Sequence, residues 1–339
     1  MPGLETVEQY QRLFTDAAHW KPFVEEVCRH HGLEPSADIR TSPVPGTCPV
    51  FIVDEKYVVK FFGRLFNGHT SFAAERDAFY LLAQDTELPI PQLLAEGTLL
   101  TDGEWPYLIS EWRSGQSVGK LRGGLSREAM TKVAAKTGRI AQRLHALPLH
   151  VTKTLKPNWD AFADLLEKQR PDCAKRHAEW GHLPPHLLEQ IDAFLLPSSQ
   201  LIDRRTSPKL LHADLTADHI LLEKENDDWH ISALIDFGDA IVGDPLFELI
   251  PVYLDLLDRD KELLRIFVAA YGLRETLDHA QALKLLNFCL LHPFDVFDGL
   301  FERTPAGREI PDLESLAHWL WQHRRFPVKT ATGNQVNLF

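Results

Sequence analysis

The sequence predicts an α+β protein in two parts, a small antiparallel-sheet lobe over residues 1–112 and a larger, mainly helical lobe over 113–339. Two observations carry this. Between residues 49 and 112, short β-branched and aromatic runs alternate with turn residues, whereas beyond Ser126 the apolar residues recur at helical spacing. A polar, glycine-containing link, Arg113-Ser114-Gly115-Gln116, separates the two characters.

Taken in order, residues 6 to 33 read as one amphipathic helix with Leu13, Phe23, Val24, Val27 and Leu33 on its apolar face. Val50-Phe51-Ile52-Val53 and Tyr57-Val58-Val59-Lys60-Phe61-Phe62, joined by a turn at Asp54-Glu55-Lys56, read as an antiparallel pair. A helix is expected from Ser71, as its cap, to Ala83. After the proline-punctuated Leu88-Pro89-Ile90-Pro91, Trp105 to Trp112 reads as another strand, and Ser126 to Leu147 as a long helix.

The chain has 339 residues, enough for two packed lobes, with 44% hydrophobic and 25% charged residues, as in an ordinary globular protein. Its net charge of −12 argues against sequence-independent nucleic-acid binding, which needs basic surface, and suits a cationic small-molecule partner. Cys28, Cys48, Cys173 and Cys289 show no metal or disulfide spacing, so a reducing cytoplasmic setting is expected. The first residues carry no leader pattern, and no apolar run approaches membrane-spanning length, so no membrane partner is expected.

The chemistry concentrates in Leu210-Leu211-His212-Ala213-Asp214 and Leu234-Ile235-Asp236-Phe237-Gly238-Asp239. Each sets an acid at the end of an apolar run, where rigid flanks can hold it. Paired acids of this kind serve phosphoryl transfer, one taking or orienting a hydroxyl proton and the other holding Mg²⁺ against phosphates. Lys60 sits in an apolar strand, where an ammonium is costly unless paired, and Glu75 on the next helix is its candidate partner. His219 stands five residues after Asp214, where such enzymes place a metal-binding amide. Its imidazole reads either as a metal or phosphate ligand or as a support of the loop. Pro45-Gly46-Thr47-Cys48-Pro49 is a candidate cover for the phosphates. The later acids Asp255, Asp258, Asp260 and Glu262, then Asp295, Asp298 and Glu302, read as a solvated face or as recognition of a cationic substrate. Asp295 and Asp298 share one face if that segment is helical.

Together, Val59-Lys60, Glu75, Leu88-Pro89-Ile90-Pro91, Leu144-His145-Ala146-Leu147, His212-Ala213-Asp214, Ile235-Asp236-Phe237 and Gly243-Asp244-Pro245 resemble the aminoglycoside phosphotransferase superfamily. Lys60-Phe61-Phe62-Gly63, Trp105 to Ser110, Leu290 to Phe297 and Leu313 to Trp321 look like the hygromycin B 7''-O-phosphotransferase branch. The resemblance implies a bilobal, protein-kinase-like fold that uses ATP or GTP with Mg²⁺. It implies Asp214 as catalytic base, Asp236 on the metal, Lys60 on the phosphates with Glu75 orienting it, and the nucleobase held near Ser110, Glu111 and Trp112. His212 and Asp244 would support the catalytic loop, and Asp255, Asp258, Asp295 and Asp298 are candidate acceptor contacts. The implied acceptor is a small hydroxyl compound, an aminoglycoside or aminocyclitol in the leading reading. A metabolic amino alcohol or sugar kinase shares every catalytic residue, and an inactive nucleotide-binding module is the remaining alternative. Resistance to an antibiotic is not implied by the resemblance.

Overall fold

The computed structural model describes residues 4, 6–34, 38–44, 46–101, 103–226, 228–273, 277–303, 309–322, 327–329 and 335–337. They fall in two compact units. The first holds Met1–Val133, Ala146–Lys156 and His212–Ile241; the second holds Ala134–His145, Pro157–Leu211 and Val242–Phe339. Among the described residues no helix is long and apolar enough to cross a membrane.

In the first unit, strands β1 (Ile39–Thr41), β2 (Val50–Val53), β3 (Tyr57–Phe61), β4 (Leu93–Thr101) and β5 (Gly103–Glu111) form an antiparallel sheet ordered β1-β2-β3-β5-β4. Successive side chains on a strand point to opposite faces, and here the two faces do different work. Phe51, Val53, Val59, Phe61, Tyr107 and Ile109 enter the core. Val50, Ile52, Val58, Lys60, Leu108 and Ser110 line a cavity. Register keeps the second set together, since Val50 lies opposite Lys60, Ile52 opposite Val58, and Lys60 opposite Leu108.

The core face is covered by helices α1 (Val7–Leu13) and α2 (Ala17–His30). The single helix expected over residues 6–33 is therefore two. Asp16 ends the first run by accepting the N–H groups of Ala18 and His19, which caps a new helix start. Trp20 on α2 is fully buried, 4.9 Å from the Phe61 ring and edge-on to Trp105 at 5.3 Å, and its indole N–H donates to the Leu13 carbonyl. Gly97 on β4 lies opposite Tyr107, and any Cβ there would collide with the Tyr107 hydroxyl, so the residue has to be glycine.

Helix α3 (Gly68–Leu82) begins three residues before the expected Ser71, after Asn67 in the left-handed region at φ 59°. Serine does not cap it; the backbone bend at Phe66 and Asn67 starts it instead. A second small sheet of the unit pairs Gln116–Ser117 with Ile220–Glu225 and that strand with Asp228–Leu234. The N–H of Leu234 donates to the Pro89 carbonyl at 2.8 Å, tying the proline-punctuated segment to this sheet.

The second unit is mainly helical, built from Asp160–Gln169, Cys173–Trp180, Lys261–Tyr271, His279–Leu290, Leu313–Trp321 and shorter helices. Asp260, Asp278 and Asp312 cap three of these through backbone N–H groups. Glu262 pairs with Arg265 at 2.7 Å, so Asp260 and Glu262 of the acidic run have local structural tasks. His145 of the Leu144-His145-Ala146-Leu147 motif is buried, bonded to the Tyr271 hydroxyl at 2.7 Å and facing Glu248 at 3.4 Å.

His292 is buried, with its ring stacked on Phe247 at 5.1 Å and its Nδ1 accepting the Phe294 N–H at 3.2 Å. Burial drives its pKa down to about 4. A histidine depressed in the folded state contributes stability above its unfolded pKa of about 6.5, lost as pH falls toward the folded value. We expect unfolding free energy to fall by up to about 3 kcal/mol more in the parent than in His292→Asn between pH 6.5 and 4. Urea titrations across that window check it, and parallel pH profiles would refute it.

Candidate functional site

The site is assembled inside the first unit around Lys60. Its strand partner positions and α3 bring two carboxylates to one ammonium: Glu75 Oε2 at 2.7 Å and Asp236 Oδ1 at 2.8 Å. Lys60 and Glu75 are both buried, and the Lys60 ammonium also lies 5.1 Å from the Phe62 ring centre. Burial alone would strip Lys60 of its proton, but Asp236 and Glu75 outweigh it and hold the ammonium well above the usual lysine range. Burial also opposes charge on Asp236, yet Lys60 and His219 hold that carboxyl well below the usual range. Glu75 is pushed up to about 7 by its burial, with Lys60 pulling it down and Asp236 pushing it further up. Gly238 lets α3 approach, because a Cβ there would sit 3.2 Å from Asp236 Oδ1 and 3.3 Å from Ser71 Cβ.

Asp236 has φ 65° and Ala213, just before Asp214, has φ 64°. Left-handed backbone costs a non-glycine residue about 1–2 kcal/mol, and such outliers gather where structure over-determines them. Three bonds do so here. His212 Nε2 donates to the Ile235 carbonyl at 3.0 Å, its Nδ1 accepts the Asp214 N–H at 3.3 Å, and the Ile235 N–H donates to the His219 carbonyl at 3.0 Å. The His212 ring also packs on Phe237 at 4.4 Å. The loop carrying Asp214 and the strand end carrying Asp236 are thus one clamped assembly.

His219 completes the clamp. Its Nδ1 donates to the Asp214 carbonyl at 2.7 Å and lies 3.4 Å from Asp214 Oδ2, while its Nε2 faces Asp236 Oδ2 at 3.9 Å. Burial disfavours the imidazolium, but Asp236 and Asp214 outweigh it and raise the His219 pKa. Asp218 turns away, with its Oδ1 accepting the Ser117 hydroxyl at 3.2 Å. Glu75 and Asp236 converge on Lys60, Asp214 and Asp236 lie beside His219, and Asp236 offers hard oxygen donors. The donor set fits a divalent cation of the kind that accompanies nucleotide phosphates.

Lys60, Glu75 and Asp236 edge a cavity of about 290 Å³. Its walls include Ile52, Val58, Leu221 and Leu234, with the Ser110, Glu111 and Trp112 segment at the side. Gly46 and Cys48 of the loop before β2 also line it, while Pro45 lies outside the described residues. Apolar walls beside a polar strand segment suit a flat heteroaromatic base, and the Lys60 end suits its phosphates.

Of the residues singled out from the sequence, Lys60, Glu75, Ser110, Glu111, Trp112, His212, Asp214, His219 and Asp236 all belong to this unit. Asp244, Asp255, Asp258, Asp295 and Asp298 belong to the second. There Asp244 accepts the Leu246 N–H at 2.9 Å and pairs with Lys284 at 2.5 Å. Asp295 and Asp298 do not share a helical face, because residues 295–299 form no helix. Pro293 and the positive φ of Gly299 (63°) bound that irregular stretch, and His182 pairs with Asp295 and lies 3.5 Å from Asp298. Asp255 lies in the π-helical turn Val252–Leu256, with Asp258 just past it at φ 46°. Sequence reasoning misses one residue. Asp239 is exposed overall, yet thinned solvation at its carboxyl and the charges of Asp214 and Asp236 push it up to about 6. A third acid three residues after Asp236 is the signal that could have found it.

A model of the phosphotransferase enzyme family matches residues 49–285. The Arabidopsis thaliana protein named lysine-specific demethylase JMJ21 is 25% identical over 275 residues, covering 66% of this chain and only 29% of that protein. Solved structures share the fold at low identity. The GDP complex of aminoglycoside 2'-phosphotransferase-IIIa superposes with TM-score 0.59 at 18% identity over 86% of this chain and 94% of that one. A gentamicin complex of APH(2")-IIa gives 0.57 at 19%, covering 84% and 92%. A thermostable APH(4)-Ia variant with ADP and hygromycin B gives 0.52 at 17%, covering 86% and 97%. The α+β class expected from the residue pattern and the kinase-like fold implied by the resemblance therefore stand, and the chain belongs to the phosphotransferase enzyme family.

Proposed function

We propose that the chain is a nucleotide-dependent O-phosphotransferase that moves the γ-phosphoryl group of ATP to a hydroxyl of a small polar acceptor. One observation carries the reading: Lys60, Glu75 and Asp236 close a charge cluster at the end of a base-sized cavity, with the Asp214 loop clamped beside it. In this reading the apolar walls and the Ser110 to Trp112 backbone take the nucleobase. Lys60 binds phosphate oxygens and Glu75 keeps its ammonium aimed. Asp236 would hold Mg²⁺, which when bound would supply neutralisation of the phosphate charge. Asp214 orients the acceptor hydroxyl and receives its proton, while His212 keeps the Asp214 backbone in its strained turn. Little covalent help is needed, because positioning and charge neutralisation do most of the work.

The finer proposal is an aminoglycoside or aminocyclitol acceptor such as hygromycin B, in the cytoplasm where ATP is supplied. Its support is the shared fold of aminoglycoside-bound phosphotransferases together with the local sequence likenesses. Asp255, Asp258, Asp295 and Asp298 are the candidate contacts for a cationic acceptor, and His182 faces the last two. An amino alcohol or sugar acceptor would use the same catalytic residues. Phosphate transfer from MgATP, followed by mass spectrometry over a panel of aminoglycosides, aminocyclitols, amino alcohols and sugars, decides between them. No transfer to any hydroxyl would leave an inactive nucleotide-binding module.

Two outcomes test the assigned roles. Asp214→Asn should lower kcat by about 10² to 10⁴-fold while leaving ATP affinity, read by calorimetry, within a few-fold; near-normal turnover would remove Asp214 from catalysis. Glu75→Gln leaves Lys60 with one carboxylate partner, the half-buried Asp236, instead of two. It should weaken ATP binding and destabilise the chain by about 1–3 kcal/mol, and an unchanged Kd for ATP would detach Glu75 from the nucleotide site.

A further inference from the structure

We propose that His219 supplies an imidazole ligand to the divalent ion held by Asp236, and that this nitrogen tilts the site from Mg²⁺ toward a first-row transition ion such as Mn²⁺. The inference rests on the phosphotransferase reading and sharpens its cofactor.

The Asp214 carbonyl can only accept a hydrogen bond, so the short contact from His219 Nδ1 at 2.7 Å places a proton on Nδ1. With the proton on Nδ1, Nε2 is the nitrogen left to bind a metal, which would displace any proton held there. A carbonyl bonded to the far ring nitrogen is also how metal-bound histidines are commonly oriented. Nε2 faces Asp236 Oδ2 across 3.9 Å. That span is too long for a hydrogen bond. It is shorter than two metal–ligand bonds of about 2.1 Å laid end to end, so one ion can reach both atoms.

The surroundings favour a cation in that gap. Asp236 and Asp214 both lie beside the ring, and Lys60 is engaged on the opposite oxygen of Asp236. The ring has little freedom to leave, since His219 is buried, its Nδ1 also lies 3.1 Å from the Thr216 hydroxyl, and its plane stacks 5.8 Å from His212. Asp218, the neighbouring oxygen donor, is turned to Ser117. The ligand that this loop adds to Asp236 is therefore nitrogen rather than oxygen. Mg²⁺ selects oxygen and dehydrates reluctantly, whereas transition ions accept imidazole readily. One nitrogen in the set shifts their relative affinities without excluding Mg²⁺.

The test uses the full chain with ADP and Mn²⁺, read by pulsed electron paramagnetic resonance. Expected is a ¹⁴N coupling to Mn²⁺ that changes to the ¹⁵N pattern when the protein is labelled with ¹⁵N-histidine, a comparison that needs no variant. In folded His219→Asn the coupling should vanish, and the Mn²⁺-over-Mg²⁺ affinity ratio should fall on the order of 10-fold. Mn²⁺ bound with ADP but insensitive to histidine labelling would overturn the inference and leave the phosphotransferase reading intact. Failure of Mn²⁺ and Mg²⁺ alike to bind with ADP would overturn both.

Discussion

The structure of the first unit depends on one buried ammonium held between two carboxylates. Lys60 contacts Glu75 from α3 and Asp236 from the strand end, so a single atom joins the sheet, the helix and the Asp236 turn. Buried ion pairs add little net stability because desolvation offsets attraction, yet leaving a buried charge with no partner at all costs about 3–5 kcal/mol. The arrangement is therefore weak as glue and strong as a constraint. It fixes where α3 lies along β3 and which way Asp236 turns, at the expense of left-handed backbone at Asp236. A purely structural sheet would be better served by an aliphatic residue at position 60. The charge cluster makes sense where a ligand of mixed charge enters, with phosphate for the ammonium and metal for the carboxylate.

The same period-two alternation explains how this constraint coexists with a dry core. Val59 and Phe61 flank Lys60 in sequence but face Trp20 and its aromatic neighbours, while Val58 and Lys60 face the cavity. A one-residue slip in β3 would exchange the faces, burying the ammonium among aromatic rings and exposing two core residues. Register and function are thus specified by the same residues. The aromatic cluster around Trp20 makes slippage costly and so protects the geometry of a site on the other side of the sheet.

Much of this is legible in the sequence, for a physical reason. The Val50–Val53 and Tyr57–Phe62 pair, the Lys60–Glu75 partnership and the acids at 214 and 236 follow from alternation and from the cost of isolated charge. What is not legible depends on competition or distance. Asp16 splits the first helix because its carboxylate caps a new start better than Phe14 and Thr15 continue the old one. The start of α3 is set by backbone at Phe66 and Asn67 rather than by the serine that resembles a cap. The spacing of Asp295 and Asp298 suits helical neighbours, but Pro293 and Gly299 prevent the helix. The partners of Asp244 and Asp295, Lys284 and His182, are far away in sequence, and no local pattern announces them.

The two histidines of the Asp214 loop show why geometry is needed to separate roles that the sequence leaves open. Both are buried, and both touch the backbone next to an acid. In His212, Nε2 donates to the Ile235 carbonyl and Nδ1 accepts the Asp214 N–H, so both ring nitrogens are committed to holding two chain segments together. Such a ring is a spacer, and its chemistry is exhausted by its position. In His219 only Nδ1 is committed in this way, and the opposite nitrogen faces a carboxylate at a distance that no hydrogen bond spans. An amide at this position could bond the Asp214 carbonyl and offer an oxygen to a metal, but it has no nitrogen lone pair to give. The imidazole keeps the structural bond to the Asp214 carbonyl. On the proposed reading the loop would keep its support and exchange an oxygen ligand for a softer nitrogen, the combination expected of a site adapted to a different ion rather than of one losing its function.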